Sequence, residues 1–271
     1  MISALFNNSI TDFFYDENLI VHDGNKGINF ILDEDLTILK QQKLNFKANS
    51  FYSFENKWVI FNNYLQRDWG NDLLVIDKDD FSVSSAYIPV NSDDYGFHYD
   101  ARYALNVDNS GNQLYFSKAF NDTIYTLNKD FLLDKKFLID FKDKRVSKNY
   151  LQSGINAMDL LSDMRNGNFY FIKGEMHFTS DNKLLIKILK EGKYENLLID
   201  DIENSGEVFP VFVDDFQSNQ SFYDVLYSDK EQLIFGESSE HLYQSQNLDP
   251  SFKEKYTIKS EDNFILFVLD K

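Results

Sequence analysis

Hydrophobic residues occur along this chain in short runs separated by polar turns, with little of the spacing typical of helices. One pattern, an acidic or polar turn followed by an apolar triplet, occurs five times along the chain. The five triplets are residues 19–21, 58–60, 114–116, 169–171 and 233–235. Short runs of this kind, rich in aromatic and β-branched residues and bounded by Asp, Asn and Gly, predict strands joined by tight turns.

A second pattern follows four of these triplets and consists of an apolar pair, a polar turn and a further strand. The apolar pairs are residues 31–32, 75–76, 126–127 and 188–189. Each unit therefore reads as four antiparallel strands in roughly 40–50 residues, which is how a β-propeller blade is built. We predict an all-β fold: a β-propeller of four-stranded antiparallel blades, with five repeats visible.

The repeats also predict how the chain is divided. The expected blades are residues 10–46, 47–90, 91–147, 148–207 and 208–271. No linker rich in Gly, Ser or Pro interrupts the sequence, so residues 1–271 are predicted to form a single domain. Short helical turns are expected only at 155–164 and 249–256.

Composition supports the strand prediction and excludes some partners. Phe (26 residues) and Tyr (16 residues) are abundant, and such rings pack well on a pleated, half-buried surface. The formal net charge is −17. A surface of that sign repels phosphate backbones and anionic lipid headgroups, so nucleic acid and membrane surfaces are not expected partners.

The chain has no cysteine, which excludes disulfides, thiolate metal sites and cysteine nucleophiles. No run approaches the roughly 18 apolar residues of a membrane span. The first residues lack the basic segment of a signal peptide, so no signal peptide is expected in this chain. A cytoplasmic location therefore stays open as an alternative.

Several stretches resemble the six-bladed β-propeller proteins of Bacteroides-type bacteria, which are often envelope lipoproteins. The resemblance rests on residues 115–116, 121–125, 137–141, 186–198, 200–202 and 261–269. Phe264 departs from the pattern, since proline is expected there. The start of this chain aligns with the family's second blade, which agrees with five repeats where the family has six. The resemblance implies a propeller in the periplasm or at the cell surface, and it implies no particular chemistry.

Two segments between predicted strands combine aromatic and polar residues. Residues 95–103 read YGFHYDARY and residues 64–69 read YLQRDW. Loops on a rigid sheet scaffold usually carry ligand contacts, and sugars stack on aromatic rings while polar groups bond their hydroxyls. The candidate ligand-binding residues are His98, Asp100, Arg102, Tyr103, Arg67 and Trp69. The alternative is that these side chains stabilise the contacts between neighbouring blades.

Metal binding has weaker support in the sequence. The four histidines are His22, His98, His177 and His241, and two of them, His22 and His177, fall inside strand patterns where a packed or surface histidine is the default. Acidic turns at 33–35, 77–80 and 108–111 resemble calcium loops but lack the ligand set of an EF-hand. They are interpreted as hairpin turns. No cofactor is predicted, and calcium is kept as the alternative.

No catalytic motif is visible: the chain has no nucleophile elbow, phosphate-binding loop or HExxH pattern. The favoured hypothesis is a non-enzymatic binding module that presents one propeller face to a glycan, peptide or protein. The alternative is a propeller hydrolase or lyase with a metal or carboxylates on the axis. Propellers perform both kinds of function, so the fold does not decide between them.

Overall fold

A computed structural model of the chain describes most of its residues. They are 10–16, 18–23, 26–44, 50–62, 70–90, 104–152, 155–201, 205–209, 212–213, 221–222, 225–228, 232–237 and 265–270. Within these ranges nearly all regular structure is antiparallel β-sheet.

The first four sheets each contain four strands, and each strand pairs with the next along the chain. The first sheet contains β1 (Ile10–Asp16), β2 (Asn18–Asp23), β3 (Ile28–Leu32) and β4 (Ile38–Lys43). The second contains β5 (Ser50–Phe54), β6 (Lys57–Phe61), β7 (Asn71–Asp77) and β8 (Val83–Pro89). The third contains β9 (Leu105–Val107), β10 (Gln113–Ser117), β11 (Thr123–Asn128) and β12 (Leu133–Leu138). The fourth contains β13 (Phe171–Phe178), β14 (Leu184–Lys190), β15 (Lys193–Asp200) and β16 (Ser205–Phe209).

The C-terminal strands form two smaller groups. A two-stranded hairpin consists of β17 (Phe212–Val213) and β18 (Ser221–Phe222). The last sheet has three described strands, namely β19 (Val225–Ser228), β20 (Gln232–Glu237) and β21 (Ile265–Asp270). A 3-10 turn at Lys142–Lys144 and helices α1 (Lys148–Gln152) and α2 (Ala157–Arg165) lie between the third and fourth sheets along the chain.

Consecutive sheets pack face to face, because the middle strands are apolar on both sides. In β6, Trp58 and Ile60 pack with Ile20 of the first sheet. The alternate residues of β6, Val59 and Phe61, pack against the third sheet instead. Successive side chains of a strand point to opposite faces of the sheet, so one strand can contribute to two interfaces. A strand that is buried on both faces has a continuous run of apolar residues.

The radial order of the strands identifies the architecture. The first strands of consecutive sheets contact one another in turn, from β1 to β5, β9, β13 and then β19. The fourth strands, in contrast, are largely exposed. The first strands therefore lie nearest a common axis and the fourth strands at the rim. This arrangement is a β-propeller, so the predicted fold class is confirmed.

The turns between third and fourth strands repeat one local structure in the first three sheets. The side-chain oxygen of Asp33 accepts a hydrogen bond from the backbone of Thr37 (2.8 Å), and that of Asn128 accepts one from Leu132 (2.9 Å). Each turn then places a bulky residue at positive φ, and these residues are Leu36 (59°), Phe81 (60°) and Phe131 (59°). Asx hydrogen bonding explains the acidic turns, as the turn interpretation proposed.

The fourth repeat was assigned to the wrong strand. Residues 19, 58, 114 and 233 lie in second strands, but Phe171 begins the first strand of the fourth sheet. The second strand there is β14, so residues 188–189 also lie one strand earlier than their supposed equivalents. The physical reason is the insertion of helical residues before β13, which displaced the repeat along the sequence.

The helix at 157–165 agrees with the helical turn expected at 155–164, and Asn156 caps it through bonds to the backbone of Met158 and Asp159. Helix α1 and the 3-10 turn were not predicted. Residues 249–256 lie outside the described residues. The blade limits and the single domain stay predictions. None of the helices that the structure describes is both long and apolar enough to cross a membrane.

Candidate functional site

The six predicted ligand-binding residues lie outside the described residues. They are Arg67, Trp69, His98, Asp100, Arg102 and Tyr103. They remain predictions, as do any roles of His98 and His241. The structure does describe the residues at which the two candidate segments begin and end. These are Asn62 and Gly70 on either side of 63–69, and Val90 and Ala104 on either side of 91–103.

The ends of the two segments meet at one end of the second and third sheets. The backbone N–H of Val90 donates to the carbonyl of Gly70 at 2.9 Å. The N–H of Asn62 donates to the carbonyl of Asp72 at 2.7 Å, at the start of β7. Ala104 is buried in the same apolar cluster as Phe61, the last residue of β6. The described residues that flank the two segments therefore lie close together at this end of the sheets, although the segments are distant in sequence.

A buried ion pair lies beside these ends and joins the two sheets. Lys118 follows the last residue of β10, and its Nζ lies 2.6 Å from Oδ2 of Asp72 in β7. Both residues are buried. Removing two charges from water costs free energy that their attraction must offset, and the loss of one partner leaves the other charge buried. The pair therefore holds the second and third sheets in a defined relation.

Asn62 is the most unusual residue at this position. Its exposed fraction is 0%, yet neither Oδ1 nor Nδ2 has a hydrogen-bond partner in the described part of the chain. A buried amide atom that is left unsatisfied costs about 1–3 kcal/mol. Such groups are rare in native proteins and call for an explanation. We refer to Asn62, Asp72 and Lys118 together as the loop-base cluster.

Polar contacts continue from the loop-base cluster into the turn between β10 and β11. Oδ1 of Asp122 accepts a hydrogen bond from the hydroxyl of Thr123 (3.1 Å). Its Oδ2 accepts one from Nη1 of Arg145 (3.1 Å), whose side chain is 63% exposed. The guanidinium of Arg145 is thus exposed to solvent while it bonds the buried carboxylate of Asp122.

The two described histidines are packed inside sheets. Nδ1 of His22 donates to Oδ1 of Asn29 at 2.7 Å, and the His22 ring stacks on Phe51 with centroids 5.6 Å apart. His177 lies in β13 and is buried. Both match the default interpretation of histidines within strands. The sequence did not identify Asn29 as a partner, because that pairing depends on the register between β2 and β3.

A second polar cluster, which sequence reasoning missed, surrounds a bulge in β13. Ile172 pairs with Ile188 and Met176 with Ile186, so three residues of β13 stand opposite one residue of β14. Gly174 at the centre of the bulge has φ +104°. Glycine is suited to this conformation because it has no Cβ. The available signal was a glycine inside a strand pattern, which often marks a bulge.

The bulge brings two lysines to one carboxylate. Lys173 Nζ contacts Oε1 of Glu175, and Lys187 Nζ lies 3.5 Å from Oε2 of the same residue. Burial lowers the pKa of Lys187, while the charge of Glu175 acts in the opposite direction. A small cavity borders this group, lined also by His177 and Asn196. We refer to Lys173, Glu175 and Lys187 as the bulge cluster.

Among the residues that the structure describes, no group of three or more His, Asp or Glu side chains converges as a metal site would require. The calcium alternative is not tested by this observation, since several acidic segments fall outside the described ranges. The described acidic turns use their carboxylates in local hydrogen bonds. Asp77, for example, has a lowered pKa because it bonds Lys57 and the backbone of Asp79.

Comparison with solved structures identifies similar backbones. A Bacteroides fragilis protein that is thought to be exported is similar with a TM-score of 0.69 at 16% identity, covering 97% of this chain and 77% of that one. A member of the DUF4221 family from Bacteroides vulgatus has a TM-score of 0.49 at 11% identity, with 94% and 75% covered. Virginiamycin B lyase from Staphylococcus aureus has a TM-score of 0.47 at 13% identity, with 84% and 63% covered.

The first of these similarities concerns the fold alone, given its low sequence identity, and the other two backbones are too dissimilar to support an argument. No protein-family model matches the chain, and none of the curated proteins matches its sequence. The six-bladed family of Bacteroides-type bacteria therefore stays a resemblance, while the propeller fold is established.

Proposed function

We propose that this propeller is a non-enzymatic binding module for a glycan, peptide or protein. Its binding face is the end of the second and third sheets at which segments 63–69 and 91–103 begin and end. The observation that carries the proposal is the hydrogen bond between Val90 and Gly70, which joins the ends of both segments. Gly70 follows the first candidate segment and Val90 precedes the second, so this hydrogen bond supports placing both segments in one proposed site.

The scaffold beneath this face suits ligand binding. Phe61 and Leu73 pack with Phe116 across the interface between the two sheets, and all three are fully buried. The ion pair of Asp72 and Lys118 fixes the same interface. Binding residues are most effective on loops that a rigid scaffold holds in position, because less conformational entropy is lost on binding.

The proposed contacts come from both segments. Arg67 and Trp69 belong to the first, and His98, Asp100, Arg102 and Tyr103 to the second. Aromatic rings and polar groups in one concave region are the usual composition of a ligand site. The module is proposed to act in the periplasm or at the cell surface, supported by the likeness to a Bacteroides fragilis protein thought to be exported. Cell fractionation with an antibody tests the location.

Binding is tested with immobilised panels of neutral oligosaccharides and of peptides, followed by calorimetry on whatever is retained. We expect Arg102→Ala and Tyr103→Ala to weaken binding about tenfold or more, the loss expected for one buried contact. The matched controls are Lys129→Ala and Tyr194→Ala. Lys129 lies in the turn after β11, at the opposite end from the candidate face.

Equal affinity of the two candidate variants and the two controls would contradict the proposed face. Loss of binding in the controls alone would place the ligand elsewhere on the molecule. Thermal unfolding provides an independent measurement, since a ligand at a hundredfold excess over its Kd stabilises the native state by about 2.7 kcal/mol.

A further inference from the structure

The segment between the third and fourth sheets, residues 139–170, contains both α-helices that the structure describes. We refer to it as the helical insertion. On the inner side of α2, Leu160 and Met164 are buried in an apolar cluster with residues of β13 and β14. A Cβ at Gly192, in the turn between β14 and β15, would lie 2.2 Å from the carbonyl oxygen of Arg165. The end of α2 is therefore packed closely against the fourth sheet.

The outer side of α2 is apolar and basic. With 3.6 residues per turn, Met158, Leu161 and Arg165 lie on the face of the helix opposite Leu160 and Met164. The exposed fraction of Met158 is 73% and that of Leu161 is 42%. Arg165 is exposed as well. Large apolar residues that are exposed together, with polar residues around them, are typical of surfaces that a partner covers.

Basic residues of the 3-10 turn extend this outer side. Lys142 is exposed, and so is Arg145, although one nitrogen of its guanidinium bonds Asp122. Nζ of Lys144 donates to the carbonyl of Gly167 at 3.3 Å. Because Gly167 follows directly after α2, the turn lies beside the C-terminal end of the helix. We refer to five exposed residues as the insertion surface: Lys142, Arg145, Met158, Leu161 and Arg165.

Two of the three cations on the insertion surface have no carboxylate partner in the described part of the chain. Lys142 and Arg165 take no part in the ion pairs found there. The helical insertion has five Lys or Arg and four Asp, so its formal charge is +1 in a chain whose total is −17. Some of its carboxylates serve the fold, as Asp163 does by accepting hydrogen bonds from Tyr150 and Asn168.

We propose that the insertion surface docks a second protein, which presents acidic residues around an apolar patch. Opposite charge orients such a partner and speeds its association. Met158 and Leu161 provide the apolar contact, and Met and Arg are both enriched in protein interfaces. The packing of α2 against the fourth sheet reduces the conformational entropy that is lost on docking. This inference does not rest on the proposed binding face over the second and third sheets.

Other occupants fit this surface less well. Sugar sites are commonly lined by aromatic rings, whereas the exposed apolar side chains here are aliphatic. The net charge of −17 opposes the approach of nucleic acid and of anionic lipid. A two-fold dimer formed through this surface would place the cations of one copy against the same cations of the other, and such like-charge contacts are unfavourable.

The test measures fluorescence anisotropy of labelled helical peptides with the whole chain. Three peptides of equal length are composed of Glu and Leu, of Glu and Ser, and of Lys and Leu. We expect only the Glu–Leu peptide to bind, and to bind more weakly as salt is added. Arg165→Glu and Met158→Ser should each weaken its binding about tenfold or more. Lys142→Glu is a second charge reversal, in case a glutamate at the end of α2 disturbs the helix.

The matched controls lie on β12, at the rim of the third sheet. Lys135→Glu and Leu138→Ser make the same kinds of change at an exposed lysine and an exposed leucine. Both should leave the affinity for the Glu–Leu peptide unchanged, as should Arg102→Ala in the first proposed face. All the altered residues of the insertion surface are exposed, so the Tm of their variants should stay close to that of the wild type.

Several outcomes would overturn this inference. They are no binding of the Glu–Leu peptide, equal binding of the Glu–Ser peptide, and equal affinity of the insertion variants and their controls. Binding that is lost in Arg102→Ala and kept in Arg165→Glu would assign the peptide to the first face.

Two further measurements address the other occupants. Arg165-dependent binding to vesicles of phosphatidylcholine and phosphatidylglycerol would indicate a lipid surface, and Arg165-dependent self-association in sedimentation would indicate a second copy. Either result would overturn the inference. Failure of the first face to bind oligosaccharides or peptides would contradict the proposed function and leave the insertion surface unaffected.

Discussion

The loop-base cluster and the bulge cluster both bury a lysine next to a carboxylate, but they use the pair differently. Lys118 and Asp72 belong to adjacent sheets, so their ion pair crosses a blade interface. Lys187 and Glu175 belong to neighbouring strands of one sheet and accompany a local irregularity. Residues distant in sequence are thus joined in the first region, and an extra loop of backbone is accommodated in the second.

The difference shows which buried charge pairs hold a propeller together. A pair between blades opposes separation of the sheets, whereas a pair within a blade stabilises only its own bulge. Glu175 also has two lysine partners, so one of them can be lost while the carboxylate stays paired. Asp72 and Lys118 are both buried and belong to adjacent sheets, so the loss of either should be more costly.

The largest expected difference in stability between the two clusters is at Asp72. We expect Asp72→Ala to lower the free energy of unfolding by about 3–5 kcal/mol, because Lys118 is left with a buried charge. Urea denaturation measures this loss. The exposed pair of Lys129 and Glu55 (2.9 Å) is the control, and Glu55→Ala should cost about 1 kcal/mol or less. Equal losses in the two variants would show that the interface pair is not structurally important.

The bulge is tested at Gly174. Gly174→Ala should lower the free energy of unfolding by about 1–3 kcal/mol, since a residue with a Cβ is strained at φ +104°. Gly206→Ala is the control, a glycine of the rim strand β16 without positive φ. Chemical denaturation of the two variants provides the comparison. A loss at Gly206 as large as that at Gly174 would contradict a special role for the bulge.

The smallest expected effect concerns the pH dependence of Lys187. Its pKa is lowered in the folded protein, so between the folded-state and unfolded-state pKa values the unfolded chain binds more protons. Stability from this group therefore rises with pH over that window, which lies below the ordinary lysine pKa of 10.5. The slope is at most about 1.4 kcal/mol per pH unit for one group.

This prediction is measured as the difference between wild type and Lys187→Met in urea denaturation at several alkaline pH values. The difference removes the contribution of tyrosines such as Tyr115, whose pKa is raised by burial and which act in the opposite direction. A difference that is constant or decreasing with pH would show that burial does not lower the pKa of Lys187.

Sequence patterns predicted the strands well where strands follow each other directly. Residues 58–60 lie in a middle strand that is buried on both faces, and such a strand is visible as an uninterrupted apolar run. The prediction went wrong at 169–171, because the helices before β13 and the bulge within it disturbed the repeat. The helical turn at 155–164 was predicted, but its effect on the spacing of the repeat was not, and a single glycine is only a weak signal of a bulge.

The candidate site was only partly accessible to sequence reasoning. Aromatic and charged residues marked 64–69 and 95–103 as candidates, and those residues stay untested. Asn62 was not singled out, since a single asparagine at the end of a strand is ordinary in sequence. Its burial without hydrogen bonds is visible only in the tertiary structure.

By itself the sequence determined the strands, their turns and the all-β propeller class, because hydrophobic alternation and Asx turns act between residues close together in the chain. Only the tertiary structure decided that Lys118 pairs with Asp72 and that Val90 meets Gly70. The first contact depends on the stacking of the third sheet on the second, whereas the second continues the pairing of β7 with β8 within one sheet. That stacking results from apolar burial, which is non-directional and leaves no pairwise signal in the sequence.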